Sequence, residues 1–211
     1  MARNAALMCL MVLLTAPAIS QLVRTAGVKG GIVAANQEWT YRYAGDLLVP
    51  EVRWGVDVGG YVEWLTHPFL SVSSEVHFIQ KGFQTSVQVV SAANPAGTGM
   101  YLTEKARVEY LSLALLAKFR VELDGVTPYL LAGPRVDFKL NSESDGFAIV
   151  LDRFRSSEFG ATCGIGAEVR LHPAISVGVE GRYSPTFQPG YESDLLKVTN
   201  RSFEILLVAG F

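Results

Sequence analysis

Val52-Arg53-Trp54-Gly55-Val56-Asp57-Val58-Gly59-Gly60-Tyr61-Val62-Glu63-Trp64 alternates with a period of two. The even positions carry Val52, Trp54, Val56, Val58, Gly60, Val62 and Trp64; the odd ones carry Arg53, Gly55, Asp57, Gly59, Tyr61 and Glu63. Successive side chains of a β-strand point to opposite faces, so this stretch is a strand with one apolar and one polar face. The chain from Glu109 repeats the pattern. Leu111, Leu113, Leu115, Ala117, Phe119 and Val121 share one face; Tyr110, Ser112, Ala114, Lys118 and Arg120 share the other, interrupted by Leu116. From Phe159 the apolar set is Phe159, Ala161, Cys163, Ile165, Ala167, Val169 and Leu171.

Extended along the chain, this pattern predicts eight strands, over 25–36, 52–65, 70–85, 106–122, 126–140, 157–171, 175–187 and 201–211. Thr66-His67-Pro68-Phe69, Leu123-Asp124-Gly125 and His172-Pro173-Ala174 are tight turns. The connections around 37–51, 86–105, 141–156 and 188–200 are long and rich in Gly, Pro, Ser, Asn and charge. Long and short alternate strictly, which in a meander gathers the long loops at one end of a barrel. Outer-membrane barrels have this asymmetry, with short periplasmic turns and long external loops.

Alternation alone does not say which face meets lipid. Eight strands enclose a space just wide enough for side chains. Trp54, Trp64, Phe78, Phe119, Phe138, Phe159, Tyr183 and Phe203 would overfill it together with the many Leu and Val, so the apolar face belongs outside. Trp54 and Trp64 share that face ten residues apart, roughly 25 Å along a tilted strand, the height of the apolar band between two aromatic girdles. Trp64, Phe69, Phe119 and Phe211 mark the periplasmic girdle; Trp54, Phe138, Tyr183 and Phe203 mark the outer one. The same register turns Lys29, Arg53, Lys81, Lys118, Arg120, Arg135, Lys139, Arg170 and Arg182 inward. It also turns in Asp57, Glu63, Glu75, Glu122, Asp137, Glu168, Glu180 and Glu204, so opposite charges can pair across a narrow lumen, as buried charges must.

The first twenty residues differ. Arg3 precedes an apolar run from Ala5 to Leu14, and Ala18-Ile19-Ser20 supplies small residues at a cleavage site. This reads as a signal peptide over 1–20, leaving one domain over 21–211. Cys9 leaves with it, so Cys163 is alone and no intramolecular disulfide can form. No later segment has the run of about 18 apolar residues that a spanning helix needs, so a membrane role must use strands. With 18 Lys+Arg against 20 Asp+Glu, no basic surplus suggests nucleic acid.

Gly27-Val28-Lys29-Gly30-Gly31 opens the first strand and Glu75-Val76-His77-Phe78-Ile79-Gln80-Lys81-Gly82 forms the third. Pro128-Tyr129-Leu130-Leu131-Ala132-Gly133-Pro134 and the closing Ile205-Leu206-Leu207-Val208-Ala209-Gly210-Phe211 complete the set. In these the chain resembles the small outer-membrane β-barrel proteins of the porin family, PorT-like proteins, with the architecture of OmpA- and OmpX-type barrels. The resemblance covers the whole mature chain. It implies an all-β, eight-stranded antiparallel up-and-down transmembrane β-barrel in the cell outer membrane, and no single activity. A terminal strand ending in an aromatic, here Phe211, resembles the signal read by the barrel assembly machinery, which with outer-membrane lipid is an expected partner.

Little in the sequence suggests catalysis, a cofactor or a metal. His67 and His172 each precede Pro in a turn, a structural use. His77 is the only strand histidine, inward beside Glu75, with Ser73 and Ser74 nearby; a lipid-modifying barrel enzyme needs Ser, His and an acid together near the membrane surface. Asn141-Ser142-Glu143-Ser144-Asp145-Gly146 spaces oxygen ligands but lacks the calcium-loop pattern, and Asn200-Arg201-Ser202 matches a glycosylation sequon. The leading expectation is a non-enzymatic barrel acting through its external loops, its lumen plugged by charge pairs. The alternatives are a narrow channel for small solutes, a lipid-modifying enzyme and a soluble lipocalin-like binder. N-terminal sequencing of the purified protein should read from Gln21; a chain still starting at Met1 would contradict export by a cleaved signal.

Overall fold

The computed structural model describes residues 22–42, 50–65, 67–88, 99–144, 151 and 153–211. The signal peptide expected over 1–20 and much of three external connections, 43–49, 89–98 and 145–150, lie outside the described residues. The strands are β1 (Val23–Tyr41), β2 (Glu51–Trp64), β3 (Leu70–Gln88), β4 (Tyr101–Arg120), β5 (Val126–Ser144), β6 (Ser157–His172), β7 (Ile175–Pro185), β8 (Tyr191–Glu192) and β9 (Leu196–Gly210). Each pairs antiparallel with its neighbour in chain order as far as β7, which pairs with β9. β9 then returns to β1, from Gly27↔Gly210 to Tyr41↔Leu196. Eight long strands therefore close the ring. The ninth, β8, is a two-residue strand that pairs only with β9, through Tyr191↔Val198, beyond the point where β7 leaves β9 at Pro185↔Arg201. At the periplasmic rim the seam is locked by Phe211 N donating to Ala26 O (2.8 Å) and Ala26 N donating to Phe211 O (3.1 Å).

The apolar face points outward, as the interior-size argument required. Trp54 is 64 % exposed and Leu207 68 % exposed, while Asp57 and Glu204 are buried. The outer girdle is a cross-strand row: Tyr183 pairs with Phe203, Phe203 with Ala34, and Ala34 with Trp54. Phe78–Leu111–Phe138 forms a second such row. Phe69, Phe119 and Phe211 stand exposed at the other end.

The strands are longer than the alternation suggested, and the excess is at the external end. β1 runs to Tyr41 instead of 36, β4 starts at Tyr101 instead of 106, β5 runs to Ser144 instead of 140, and β9 starts at Leu196 instead of 201. The expected loop over 188–200 contains β8 and the start of β9, from Leu196 to Asn200. The reason is a change of sign in the pattern. On β4, Leu111, Leu113 and Leu115 face out and Ser112 and Lys118 are buried; above them Lys105 is exposed while Ala106, Val108 and Tyr110 are buried. On β9, Phe203, Ile205 and Leu207 face out over buried Ser202 and Glu204; above them Lys197 and Arg201 are exposed over buried Val198.

Lipid outside demands apolar outward residues, and water outside demands polar ones. One continuous ladder obeys both rules, and the switch places the external membrane surface just above the Trp54–Ala34–Phe203 row. Polar stretches such as Gln37-Glu38 read as loop in sequence because their outward residues are hydrophilic; in the structure they continue the strand above the membrane.

This level predicts the response to charge. Leu115→Arg, in the middle of the band, should cost about 2–4 kcal/mol of folding free energy in lipid vesicles, and Thr103→Arg about 0–1. Equal costs at the two positions would contradict the placement.

Candidate functional site

The candidate site is the lumen, where inward side chains meet in four levels. Nearest the periplasm, Glu63 accepts from Lys118 Nζ (2.6 Å) and Arg120 Nη2 (2.5 Å), and Lys118 also donates to Glu168 (2.5 Å). In the middle, Lys29 Nζ reaches Glu75 (2.8 Å) and Glu180 (3.0 Å). Arg182 bonds Glu75 (2.6 Å) and also Glu180, and the Tyr129 hydroxyl donates to Glu180 (2.7 Å). His77 stands between Asp57 (2.6 Å) and Glu75 (3.2 Å). Above it, Lys81 bonds Asp137 (2.6 Å), and Arg135 bridges Asp137 and Glu204 at 3.2 Å each. At the top, Glu158 accepts from the Tyr110 hydroxyl (2.8 Å) and the Asn200 amide (2.7 Å). Asn200 in turn accepts from Gln37 (3.0 Å).

Three tyrosines line this interior and give its lysines a second partner. Lys118 Nζ lies 3.9 Å from the Tyr129 ring centre, Lys29 Nζ 4.9 Å from that of Tyr61, and Lys81 Nζ 5.4 Å from that of Tyr110. Cation–π contact strengthens when desolvated. Glycine makes room for two of these rings. A Cβ on Gly27 would stand 2.7 Å from the Tyr61 ring, and one on Gly166 2.4 Å from that of Tyr129. Both glycines are the cross-strand partners of those tyrosines, so each ring lies against the backbone of the neighbouring strand.

Above the charged levels the lumen turns apolar. Phe83, Val108, Tyr110 and Val198 form a buried cluster with Leu151 and Phe154, which lie between β5 and β6. Trp39 packs edge-on against Phe83, with ring centres 5.1 Å apart, and Phe154 stacks on Tyr191 at 6.4 Å. Lys139 holds the segment by donating to Leu151 O (3.0 Å). This plug fills the barrel at the level where its outer face is polar.

Most of the charged residues turned inward by the sequence pattern meet here. Lys29, Lys81, Lys118, Arg120, Arg135 and Arg182 are buried, as are Asp57, Glu63, Glu75, Asp137, Glu168, Glu180 and Glu204. Four expectations need correction. Arg53 is half-buried: β2 bulges between Val52 and Asp57, and Arg53 donates to Lys81 O (3.4 Å). Its charged neighbours are Arg107 and Glu109 of β4. Lys139 is half-buried under the plug. Arg170 and Glu122 are exposed at the periplasmic rim, Glu122 paired with Arg24 at 2.8 Å. The apolar plug went unnoticed in the sequence because it lies where the alternation has changed sign; the signal that finds it is an apolar inward set, Ala106, Val108 and Tyr110, continuing a strand beyond its apolar outward set. Glu158 was passed over although it extends the inward set Gly160, Thr162 and Gly164 of β6 by one step.

The serine, histidine and carboxylates named in the sequence come together in the lumen. The Ser73 hydroxyl donates to Glu75 (2.9 Å) rather than to His77, and Ser73, Glu75, His77 and Asp57 are all within the buried lumen. Ser74 faces lipid and accepts from Trp64 Nε1 (2.7 Å). Asn200 of the sequon is buried against Glu158, closed to a modifying enzyme. Asn141 and Glu143 lie in β5, not in a loop, and Glu143 pairs with Arg107 (2.6 Å); Asp145 and Gly146 lie outside the described residues.

Several solved structures align with most of this chain, and OprG, with a TM-score above 0.5, has the same fold. OprG of Pseudomonas aeruginosa aligns with a TM-score of 0.52 at 12 % identity, over 90 % of this chain and 96 % of its own. Neisserial surface protein A aligns at 0.49 and 11 %, over 88 % and 95 %. The Escherichia coli outer membrane protein W aligns at 0.43 and 14 %, over 89 % and 96 %. No curated protein matches the sequence. The model of one family, the outer membrane protein beta-barrel domain, matches residues 5–211. With its closed ring, lipid-facing outer band and charged interior, the chain belongs to the outer membrane protein beta-barrel domain family, and its place is the bacterial outer membrane.

Proposed function

We propose that this barrel is a non-enzymatic, non-conducting scaffold that holds its external extension and loops above the outer membrane for contact with partners. The observation that carries this reading is the lumen, occupied at membrane level by paired charges and above it by the Phe83–Leu151–Phe154 plug. A small-solute channel needs a continuous polar path, and the plug interrupts one. A hydrolytic or acyl-transfer centre needs a nucleophile within reach of substrate, and the serine and histidine that lie together are buried. The lipocalin alternative is set aside by the lipid-facing outer band.

Phe211 supports a second part of the reading. Its exposed ring and its paired backbone place it at the seam where β9 meets β1. An open edge cannot persist in lipid, so the assembly machinery must deliver this strand to that position, and we infer that the terminal aromatic is what it reads.

Purified protein in planar bilayers should give no stable single-channel current; discrete, long-lived conductance steps would overturn the plugged reading. Arg135→Glu should destabilise the barrel by about 3–5 kcal/mol, because a third carboxylate would face Asp137 and Glu204 in a desolvated space. Urea titration of the refolded variant measures this, and wild-type stability would contradict it. Deleting Phe211 should sharply lower heat-modifiable protein in the outer membrane while export across the inner membrane continues; normal outer-membrane levels would remove Phe211 as an assembly signal.

A further inference from the structure

From Gly82 to Thr103 the chain carries no charged residue. This stretch is the outer end of β3, the external connection after it and the start of β4. Each of the other three external connections is charged, with Arg42 and Asp46, Arg153 and Arg155, or Glu192 and Asp194. Exposed apolar surface without charge marks a place where something docks.

The outer end of this hairpin is bare as well as uncharged. Among the described residues, β2 pairs with β3 no higher than Glu51↔Gln84 and β5 pairs with β4 no higher than Ala106↔Ser144. The residue before Glu51 is Pro50, which has no N–H to give to a ladder and so ends β2. Beyond these points β3 and β4 have only each other among the described residues, from Thr85↔Glu104 to Gln88↔Tyr101. Tyr101 and Leu102 are consecutive in β4 and point to opposite faces, yet they are 66 % and 57 % exposed. Both faces of the ribbon are therefore uncovered at its outer end. A two-stranded ribbon is marginal by itself, and the upper edge of β3 offers backbone N–H and C=O groups as a template for another strand.

These features select among partners. Lipid is a poor match, because an open strand edge cannot enter hydrocarbon with its backbone groups unpaired. A charged segment finds no counter-charge between Gly82 and Thr103. An uncharged polypeptide in extended form matches, since it supplies backbone groups to the edge and apolar side chains to Tyr101 and Leu102. We propose that the outer end of the β3–β4 hairpin docks an extended, uncharged segment of another protein, which adds a strand to the edge of β3 above Gln84. This gives the partner chemistry of the scaffold proposed above and rests on its outward-facing role.

The test uses the full mature barrel in lipid nanodiscs, a short end-blocked peptide alternating Thr and Val, and backbone amide exchange as the readout. In the protein alone, the amides over 85–88 that point away from β4 should exchange rapidly; added peptide should protect them saturably. Ser86→Lys, a charge on the edge, and Tyr101→Ser should each weaken binding about ten-fold. Leu195→Ser removes an equally exposed apolar side chain, 65 % exposed, beside the start of β9, and should leave binding unchanged. All three variants should keep heat-modifiable mobility. Protection in the dilute protein alone would mean that the chain covers its own edge, and protection that grows with protein concentration would mean a second copy. Protection by phosphatidylcholine vesicles in place of the peptide would mean a bilayer. Any of these, or no saturable protection by the peptide, would overturn the proposal. Channel current in planar bilayers bears on the plugged lumen alone, so the two readings can fail separately.

Discussion

A side chain on the membrane-level strands of this barrel has two destinations, hydrocarbon or a lumen too narrow for bulk water. That constraint governs the rest of the structure. Strand geometry forces alternate residues inward, and those inward residues are the polar ones because lipid rejects them. Having been excluded from lipid, they are excluded from water as well, so each charge must find a partner across the ring. Among the described residues, six buried cations and eight buried carboxylates do so level by level, with His77 set between two of the carboxylates and Glu158 held by neutral donors. Ring closure follows from the same constraint, since an unpaired edge would leave backbone donors in lipid. β9 meets β1 along fifteen residue pairs, from Gly27↔Gly210 to Tyr41↔Leu196.

Above the external girdle the constraint relaxes and the barrel reverses. The outward positions of β4 change from Leu111 to Glu109, Arg107 and Lys105, while the inward ones change from Ser112 to Tyr110, Val108 and Ala106. There the barrel is built as a soluble one, around an apolar cluster closed by Leu151 and Phe154. The two halves explain why one chain holds a charged core and a hydrophobic core in the same tube. The membrane half is a closed wall, and the external half is a continuation of the same strands around an apolar core.

The membrane half was legible in the sequence because its alternation is clean. Trp54, Val56 and Val58 against Arg53, Asp57 and Glu63 are enough to give strand and register; the lipid face needs the bulk and spacing of the aromatics as well, and the short turns at His67-Pro68 and His172-Pro173 give the periplasmic end. The external half was illegible for a physical reason. Its outward residues, such as Glu38 and Lys105, are those of any hydrophilic loop, and only the pairing across the ring shows them to be strand. Arg53 failed for a related reason, since the bulge before Asp57 breaks the period on which its orientation was argued. Glu158 and Asn200 were missed because their partners lie 42 residues apart in the chain, a distance that no local pattern records.

The lumen is held by compulsory charge pairing, and the Lys81–Asp137 pair, 2.6 Å apart and buried on both sides, is where this is best tested, because Arg135, the other neighbour of Asp137, keeps Glu204 as a partner. A double-mutant cycle with Lys81→Met and Asp137→Leu, read by urea unfolding in lipid vesicles, measures the coupling directly. Each single replacement should cost about 3–5 kcal/mol by stranding one buried charge, and the double replacement should recover most of that loss. Losses that simply add would contradict the account, because they would mean that these charges do not depend on one another for burial.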